Sequence, residues 1–158
     1  MTTYFLDTSA IVRLYVMEPG WLWVRDLMPS AGVLRTAQVC YCDLGLPETI
    51  SALRQMVQKP DAAKRGFGRS ALRQTLPRVR GDLLHGAPLI AVPASGCMQL
   101  AADVVERQEI RGADAVHLAA ALTARASVAP TLPFVFVSHD VRQCRAAERE
   151  GLEVITPS

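Results

Sequence analysis

The chain has 158 residues; half of them are hydrophobic, 20% are charged, and the net charge is only +2. A chain of this length buries about 68–70% of its unfolded surface on folding, so we expect a single domain over residues 1–158. The composition excludes a disordered protein, and no apolar run approaches the roughly 18 residues of a membrane span. Asp7 and Arg13 interrupt the first apolar stretch, so we expect no signal peptide, no membrane contact and a cytoplasmic location.

Short apolar runs alternate with helical patterns along the chain. In the first half we predict a strand over residues 3–6, helices over 8–17 and 21–28, a strand over 33–40 and a helix over 47–57. Residues 59–86 are polar and basic and predict one or two exposed helices. The second half predicts strands over 88–93, 133–138 and 152–156, and helices over 97–108, 112–127 and 141–150. This order predicts an α/β fold, a three-layer α/β/α sandwich with a mainly parallel central sheet of about five strands.

Basic residues are concentrated in one segment. Residues 54–80 hold eight Arg and Lys but only one acid, a net charge of +7, which leaves −5 for the rest of the chain. We call residues 54–86 the basic arm. Its arginines suit phosphate groups, although a GC-rich coding bias and a solvated helical face would explain the same composition.

The cysteines predict no disulfide framework. Cys40, Cys42, Cys97 and Cys144 occur in a chain with an adequate core, which favours free thiols. Cys40 and Cys42 lack the spacing of zinc ligands and the three histidines are scattered, so we expect no structural zinc.

Four acids stand where separate elements meet the carboxyl edge of the predicted sheet. Asp7 and Asp140 follow strands, whereas Glu48 and Asp114 lie in the first turns of helices. Each acid alone is explained by helix capping. Close together, their negative charges repel one another. Two carboxylates about 4 Å apart repel by about 4 kcal/mol at an effective dielectric of 20. A cluster of four therefore needs protons or a bound cation. A hard divalent cation is the simplest solution.

Several blocks of sequence resemble the PIN-domain family, and within it the VapC-type toxin ribonucleases. They are YFLDTSA from residue 4, PETISAL from 47, GADAVHLAAA from 112, FVSHD from 136 and GLEVITP from 151. The blocks follow one another over the whole chain with family-like spacing. The resemblance implies a PIN-like form of the sandwich and an endoribonuclease that depends on Mg²⁺ or Mn²⁺.

The resemblance also implies roles for individual residues. Asp7, Glu48, Asp114 and Asp140 would be the catalytic acids: Asp7 and Asp114 would hold the principal metal ion with help from Glu48, and Asp140 would complete the cluster directly or through water. Such ions activate water and neutralise charge on the phosphate, so no general-base histidine is required. Thr8 and Ser138 match the hydroxyl positions beside the cluster, where substrate would bind.

Further candidates follow from charge and position. An acidic site repels RNA, so Lys64, Arg65 and Arg69 of the basic arm are expected to hold the substrate. His117 lies three residues after Asp114 and is either a proton donor to the leaving oxygen or a packed, partly buried imidazole. The resemblance implies a small antitoxin partner whose arginine-containing tail occupies the acidic pocket. We also expect a homodimer, because apolar residues at 21–24 and 39–46 exceed the needs of one small core.

Two other function classes stay open. Metal-dependent phosphatases and phosphotransferases also begin with a strand that ends in Asp-x-Asp, but position 9 here is serine, so the second aspartate is missing. A non-catalytic RNA-binding or interaction module of the PIN fold is the other class. The presence of all four acids argues against it.

Overall fold

Five parallel strands form one sheet in the computed structural model, which describes residues 1–28, 37–61, 66–85 and 89–158. The sheet order is β3-β2-β1-β4-β5. The strands are β1 (Thr2–Leu6), β2 (Ala37–Cys42), β3 (Leu89–Val92), β4 (Phe134–Val137) and β5 (Glu153–Ile155). Every neighbouring pair is parallel, with Phe5 opposite Cys40 on one side and Phe136 on the other. The predicted α/β class and the sheet of five parallel strands are confirmed.

Helices connect the strands. Within the described ranges they are α1 (Thr8–Val12), α2 (Trp21–Asp26), α3 (Gly45–Met56), α4 (Arg69–Leu84), α5 (Met98–Arg107), α6 (Gly112–Ala126) and α7 (Val141–Arg149), with a 3₁₀ turn at Ala94–Cys97 before α5. No helix in these ranges is both long and apolar enough to cross a membrane.

Side chains on the two faces of the sheet build two separate cores, because neighbouring residues of a strand point to opposite faces. Phe5 and Phe136 stack at 5.8 Å on one face, beneath α5, α6 and α7. Leu6 and Val137 lie on the other face with buried residues of α1 to α4. Most of α6 facing the first core is alanine, so this helix packs closely on the sheet. The result is the predicted three-layer α/β/α sandwich.

The strand order has a switch point beside β1. From β1 the chain first adds β2 and β3 on one side, and later adds β4 and β5 on the other. In open parallel sheets of this kind, ligands bind outside the carboxyl ends of the strands at the switch point. Asp7 and residues 138–140 follow the two strands that meet there.

The first predicted helix is shorter than expected. We predicted residues 8–17, but α1 ends at Val12 and continues as turns in which amides bond three residues back. The reason is the Arg13 guanidinium, which donates to the Ser9 carbonyl at 2.6 Å and to the Pro19 carbonyl at 2.8 Å. Ser9 O is the acceptor that the Arg13 amide would use in a continuing α-helix.

Two other predictions about segments change. The strand predicted over 33–40 is described only from Ala37 and runs on to Cys42; residues 33–36 lie outside the described part.

Residues 39–42 are at most 4% exposed in this central strand, so they belong to the core and no longer argue for a dimer. Of the other segment named for a dimer, Leu22 is 57% exposed while Val24 is buried.

The four cysteines are buried free thiols, as predicted. Burial raises the pKa of Cys40 to about 12 and, together with neighbouring charges, that of Cys42 to about 11. Thiols with such values are almost wholly protonated at neutral pH, so these cysteines act as small apolar core residues.

Candidate functional site

The four predicted acids line one open cleft of about 470 Å³ at the carboxyl edge of the sheet. Asp7 follows β1, Glu48 is in the first turn of α3, Asp114 is in the first turn of α6, and Asp140 precedes α7. Residues up to 133 positions apart in the sequence therefore share one site. The rest of the lining includes Thr8, Ser9, Gln55, Arg111, His117 and Gln143.

Asp7 is the most rigidly held of the four acids. It caps α1: its Oδ1 accepts hydrogen bonds from the Ala10 amide at 2.8 Å and the Ser9 hydroxyl at 2.7 Å, and its Oδ2 accepts one from the Ser138 hydroxyl at 2.6 Å. The residue is only 2% exposed. Burial raises the pKa of Asp7 even though these three hydrogen bonds act to lower it.

Ser138 joins the two segments that follow β1 and β4. Its hydroxyl donates to Asp7 and accepts from the Asp140 amide at 3.0 Å. Ser138 is fully buried, so the hydroxyl lies beneath the cleft and not on its surface. This position favours a role in orienting the two aspartates over the substrate contact that the resemblance implied.

Ser9 makes a second link of the same kind. Its hydroxyl donates to Asp7 and accepts from the His139 amide at 2.8 Å. Sequence reasoning used Ser9 only to argue against a phosphatase and did not identify it as a positioning residue. The available signal was its place two residues after Asp7, where a side chain can reach back to the carboxylate.

His139 points away from the acids. Its Nε2 lies 3.0 Å from the Pro157 carbonyl oxygen, so the ring holds the C-terminal segment. Gly20 packs against the same place with a φ of 87°; a Cβ there would be 2.6 Å from the Pro157 oxygen. This turn requires glycine both for its backbone conformation and for space.

Glu48 is held by two side chains. Its Oε2 accepts a hydrogen bond from the Thr8 hydroxyl at 2.5 Å and lies 2.6 Å from Nε2 of His117. Burial acts to raise the pKa of Glu48, but the hydrogen bonds from His117 and Thr8 and the attraction of His117 outweigh it and lower this pKa. Thr8, expected to bind substrate, lines the cleft while its hydroxyl is engaged with Glu48.

His117 lies beside Glu48 and lines the same cleft. The ring is 2% exposed, and its Nδ1 is buried without a hydrogen-bond partner in the described structure. Its Nε2 lies 2.6 Å from Oε2 of Glu48 and 3.2 Å from the Thr8 hydroxyl oxygen, so the ring contacts Glu48 through this nitrogen. Of the two expectations for His117, the geometry favours a buried ring bonded to a neighbouring helix.

Asp114 and Asp140 line the same cleft. Burial, and then the negative charges of Asp140 and Glu48, raise the pKa of Asp114. Asp140 caps α7, with its Oδ1 accepting hydrogen bonds from the amides of Arg142 at 2.8 Å and Gln143 at 3.1 Å. Gln143 also donates from its side chain to the Asp114 carbonyl oxygen at 3.2 Å, which ties the two helices together.

The donor chemistry of the cleft fits a hydrated Mg²⁺ ion. In the described ranges no three acidic, histidine or cysteine side chains are close enough to hold a metal ion as they stand. Mg²⁺, however, keeps several waters and uses one or two carboxylates, so it does not need a closed protein cage. Burial comes first among the causes that raise the pKa of Asp114; a cation would offset the second cause, the negative charges of Asp140 and Glu48.

The basic arm is described in part. Lys64 and Arg65 lie outside the described residues. Arg69 begins α4 and lines a second cleft, of about 570 Å³, together with Arg54 and Arg73. We call this second cleft the arginine cleft, and the one lined by the four acids the acidic cleft. Sequence reasoning counted Arg54 and Arg73 among the charges of the arm but did not place them beside Arg69.

No protein-family model matches the chain, and no curated protein matches it. A function for this chain is therefore argued from the geometry of its clefts and from the sequence blocks. The blocks contain the four acids that line the acidic cleft.

Proposed function

We propose that the protein is a Mg²⁺-dependent endoribonuclease, with Mn²⁺ as a substitute, that hydrolyses RNA phosphodiester bonds in the acidic cleft. The observation that carries the proposal is the convergence of Asp7, Glu48, Asp114 and Asp140, from four separate segments, on one open cleft at the switch point of a parallel sheet. Structural capping explains each acid singly but not their meeting in one place.

Asp7 and Asp114 would hold the cation with help from Glu48, and Asp140 would complete the site directly or through water. The carboxylates of Asp7 and Glu48 are already oriented by hydroxyl groups. When bound, divalent ions supply an activated water and neutralise charge on the phosphate oxygens. Arg111, exposed on the rim of the cleft, is placed to contact a phosphate through its guanidinium.

The biological role that we propose is that of a toxin controlled by an antitoxin. A pocket of carboxylates that accepts a cation also accepts a guanidinium, so an arginine-containing tail would block it. A homodimer and a cytoplasmic location belong to the same proposal. Copurification from the native operon tests the partner, and a short open reading frame beside the gene, encoding a DNA-binding segment and such a tail, would support it.

The decisive experiment is an RNA cleavage assay on the purified protein. We expect cleavage with Mg²⁺ or Mn²⁺, none with a chelator, and little in Asp7→Asn, Asp114→Asn or Asp140→Asn. Asp26→Asn removes an exposed carboxylate at the end of α2 and is the matched control, which should cleave like the parent. Cleavage by a folded Asp114→Asn variant at the parental rate would contradict the proposed site.

A non-catalytic RNA-binding module is the second candidate. The separation of the acidic side chains, of which no described three approach metal-binding distance, is the observation that favours it. Titration calorimetry with Mn²⁺ separates the two candidates: the ribonuclease requires heat of binding that disappears in Asp114→Asn. A phosphatase has less support, because Ser9 bonds Asp7 where those enzymes have a second aspartate.

A further inference from the structure

The arginine cleft lies between the end of α3 and the beginning of α4. Arg54 lines it from α3, Gln58 lines it from the turn after this helix, and Arg69 and Arg73 line it from α4. Val57 and Leu72 form its apolar floor. All three arginines are exposed, so their guanidinium groups are available to a ligand.

Among the residues that the structure describes, no ion pair is found for these three arginines. In the described ranges, the ion pairs of the protein involve Arg13, Arg107 and His117, and none involves Arg54, Arg69 or Arg73. Arg69 and Arg73 are four residues apart on one helical face, where like charges repel. Arg69 is also the first residue of α4, at its positive end, which disfavours cations. Arg54 lies in the last turn of α3, where a cation is favoured, but the fold gains nothing electrostatically from placing Arg69 and Arg73 beside it, which favours a role in binding.

Helix α3 connects the arginine cleft to the acidic cleft. Glu48, Ser51 and Gln55 line the acidic cleft from one side of this helix. Arg54, in the last turn of the same helix, and Gln58, just beyond its end, line the arginine cleft. With a rise of about 1.5 Å per residue, Arg54 lies about 9 Å beyond Glu48 along the helix axis. A strand that leaves the acidic cleft along α3 therefore reaches the arginines.

We propose that the arginine cleft binds backbone phosphates of the RNA strand outside the bond that is cleaved. This inference rests on the proposed function. Guanidinium forks bind phosphate oxygens in pairs, and Gln58 offers a further donor. The apolar floor accommodates the sugar and base edges between phosphates. The acidic cleft repels RNA until a cation is bound, so a neighbouring site of opposite charge is where the substrate gains affinity.

The test compares two triple variants that remove the same charge. One carries Arg54→Gln, Arg69→Gln and Arg73→Gln in the cleft. The control carries Arg80→Gln, Arg145→Gln and Arg149→Gln, which are exposed and line neither cleft. A fluorescent oligouridine of twenty nucleotides, titrated with chelator at several salt concentrations, reports binding by anisotropy. Without metal there is no cleavage to complicate the measurement.

We expect the cleft variant to reduce the slope of log affinity against log salt by about 2, since each phosphate contact to a single strand contributes about 0.7. The control should change the slope by less than half as much. The cleft variant should melt at or above the parental temperature, because repulsion between arginines is removed; this separates lost contacts from lost folding.

The outcomes distinguish this inference from the proposed function. If the parent cleaves RNA but the two variants bind alike, the cleft proposal is wrong and the ribonuclease stands. If the cleft variant shows the slope loss but the parent cleaves nothing with Mg²⁺ or Mn²⁺, the cleft binds RNA and the ribonuclease proposal is wrong. If an acidic peptide such as oligoglutamate binds in a cleft-dependent way while oligouridine does not, the occupant is a protein and the RNA proposal is overturned.

Discussion

The two clefts differ in how their charges are held. In the acidic cleft, carboxylates are bonded by groups distant in sequence, such as Ser138 to Asp7 and His117 to Glu48. In the arginine cleft, exposed side chains on two neighbouring helices have no acidic partner among the described residues. The carboxylates of the acidic cleft are preorganised for catalysis, because their positions are fixed before any ligand binds. The arginine cleft favours adaptable binding, in which long flexible side chains follow a ligand.

This difference predicts which substitutions act strongly. A change at a preorganised carboxylate removes a function that no neighbour can replace. A change at one exposed arginine removes one contact among several.

The largest effect is expected on catalysis at Asp114. Asp114→Asn keeps the shape of the side chain but removes a charge from the cation site, so we expect the rate of RNA cleavage to fall by at least about 100-fold. The matched control Asp26→Asn should retain the parental rate. A single Arg73→Gln variant should lose less than about tenfold. Equal losses at Asp114 and Arg73 would contradict the contrast between the clefts.

Cation binding should also stabilise the acidic cleft. At one hundred times its dissociation constant, Mg²⁺ or Mn²⁺ would add about 2.7 kcal/mol to the free energy of unfolding. For a domain of this size that corresponds to a rise of about 5–10 °C in Tm. Differential scanning fluorimetry measures the shift. It should be small in Asp114→Asn and unchanged in the triple variant of the arginine cleft.

Much of this site could be predicted from sequence because it depends on where elements begin and end. Apolar runs located the strands, and the ends of parallel strands locate a binding edge, so Asp7 and Asp140 could be assigned to one site. Glu48 and Asp114 lie in the first turns of their helices, so they too could be assigned to this edge of the sheet. The element boundaries were less certain, as the early end of α1 at Val12 shows.

The contacts between side chains could not be predicted in the same way. That His117 would bond Glu48, and not only accompany Asp114, depends on the packing of α6 against α3 across the sheet edge. The pairing of Arg54 with Arg69 and Arg73 depends on how α4 folds back on α3. Neither arrangement leaves a periodic signal in the sequence, because each joins residues from different elements.

The hydroxyl beneath the acidic cleft should matter for both stability and activity. Ser138→Ala removes a buried hydrogen bond to a carboxylate, so we expect the free energy of unfolding to fall by about 1.5–3 kcal/mol in urea titrations. Cleavage should fall by about 10–100-fold, as is typical when a group that orients a metal ligand is lost. Ser70→Ala, on the exposed face of α4, is the control and should change neither quantity.

A similar but smaller effect is expected at His117. His117→Ala leaves Glu48 without its main partner and opens a small cavity, so we expect lower stability and a higher pKa for Glu48. His117→Gln can still donate to the carboxylate and should recover part of the activity lost in His117→Ala. Carboxylate titration by NMR reports the pKa of Glu48 directly. If alanine and glutamine behave alike, the hydrogen bond does not position Glu48.

The smallest effect concerns the dependence of stability on pH without metal. The pKa of Asp114 is raised in the folded state, by burial first and then by Asp140 and Glu48, so its ionised form costs stability above the unfolded pKa near 3.8. As pH falls through the higher folded pKa, the folded protein takes up a proton before the unfolded chain does, and the cost disappears.

Asp114→Asn never carries this cost. With chelator at pH 7 it should therefore melt slightly above the parent, by a few degrees at most, and the advantage should vanish as pH approaches 4. Comparing the two proteins cancels the contribution of other groups, such as His139, whose burial lowers its pKa and makes acid destabilising. With saturating Mg²⁺ the order should reverse at pH 7, because the parent gains the binding energy of the cation. A variant less stable than the parent at pH 7 in chelator would show that the Asp114 carboxylate stabilises the first turn of α6 by more than its burial and its charged neighbours cost.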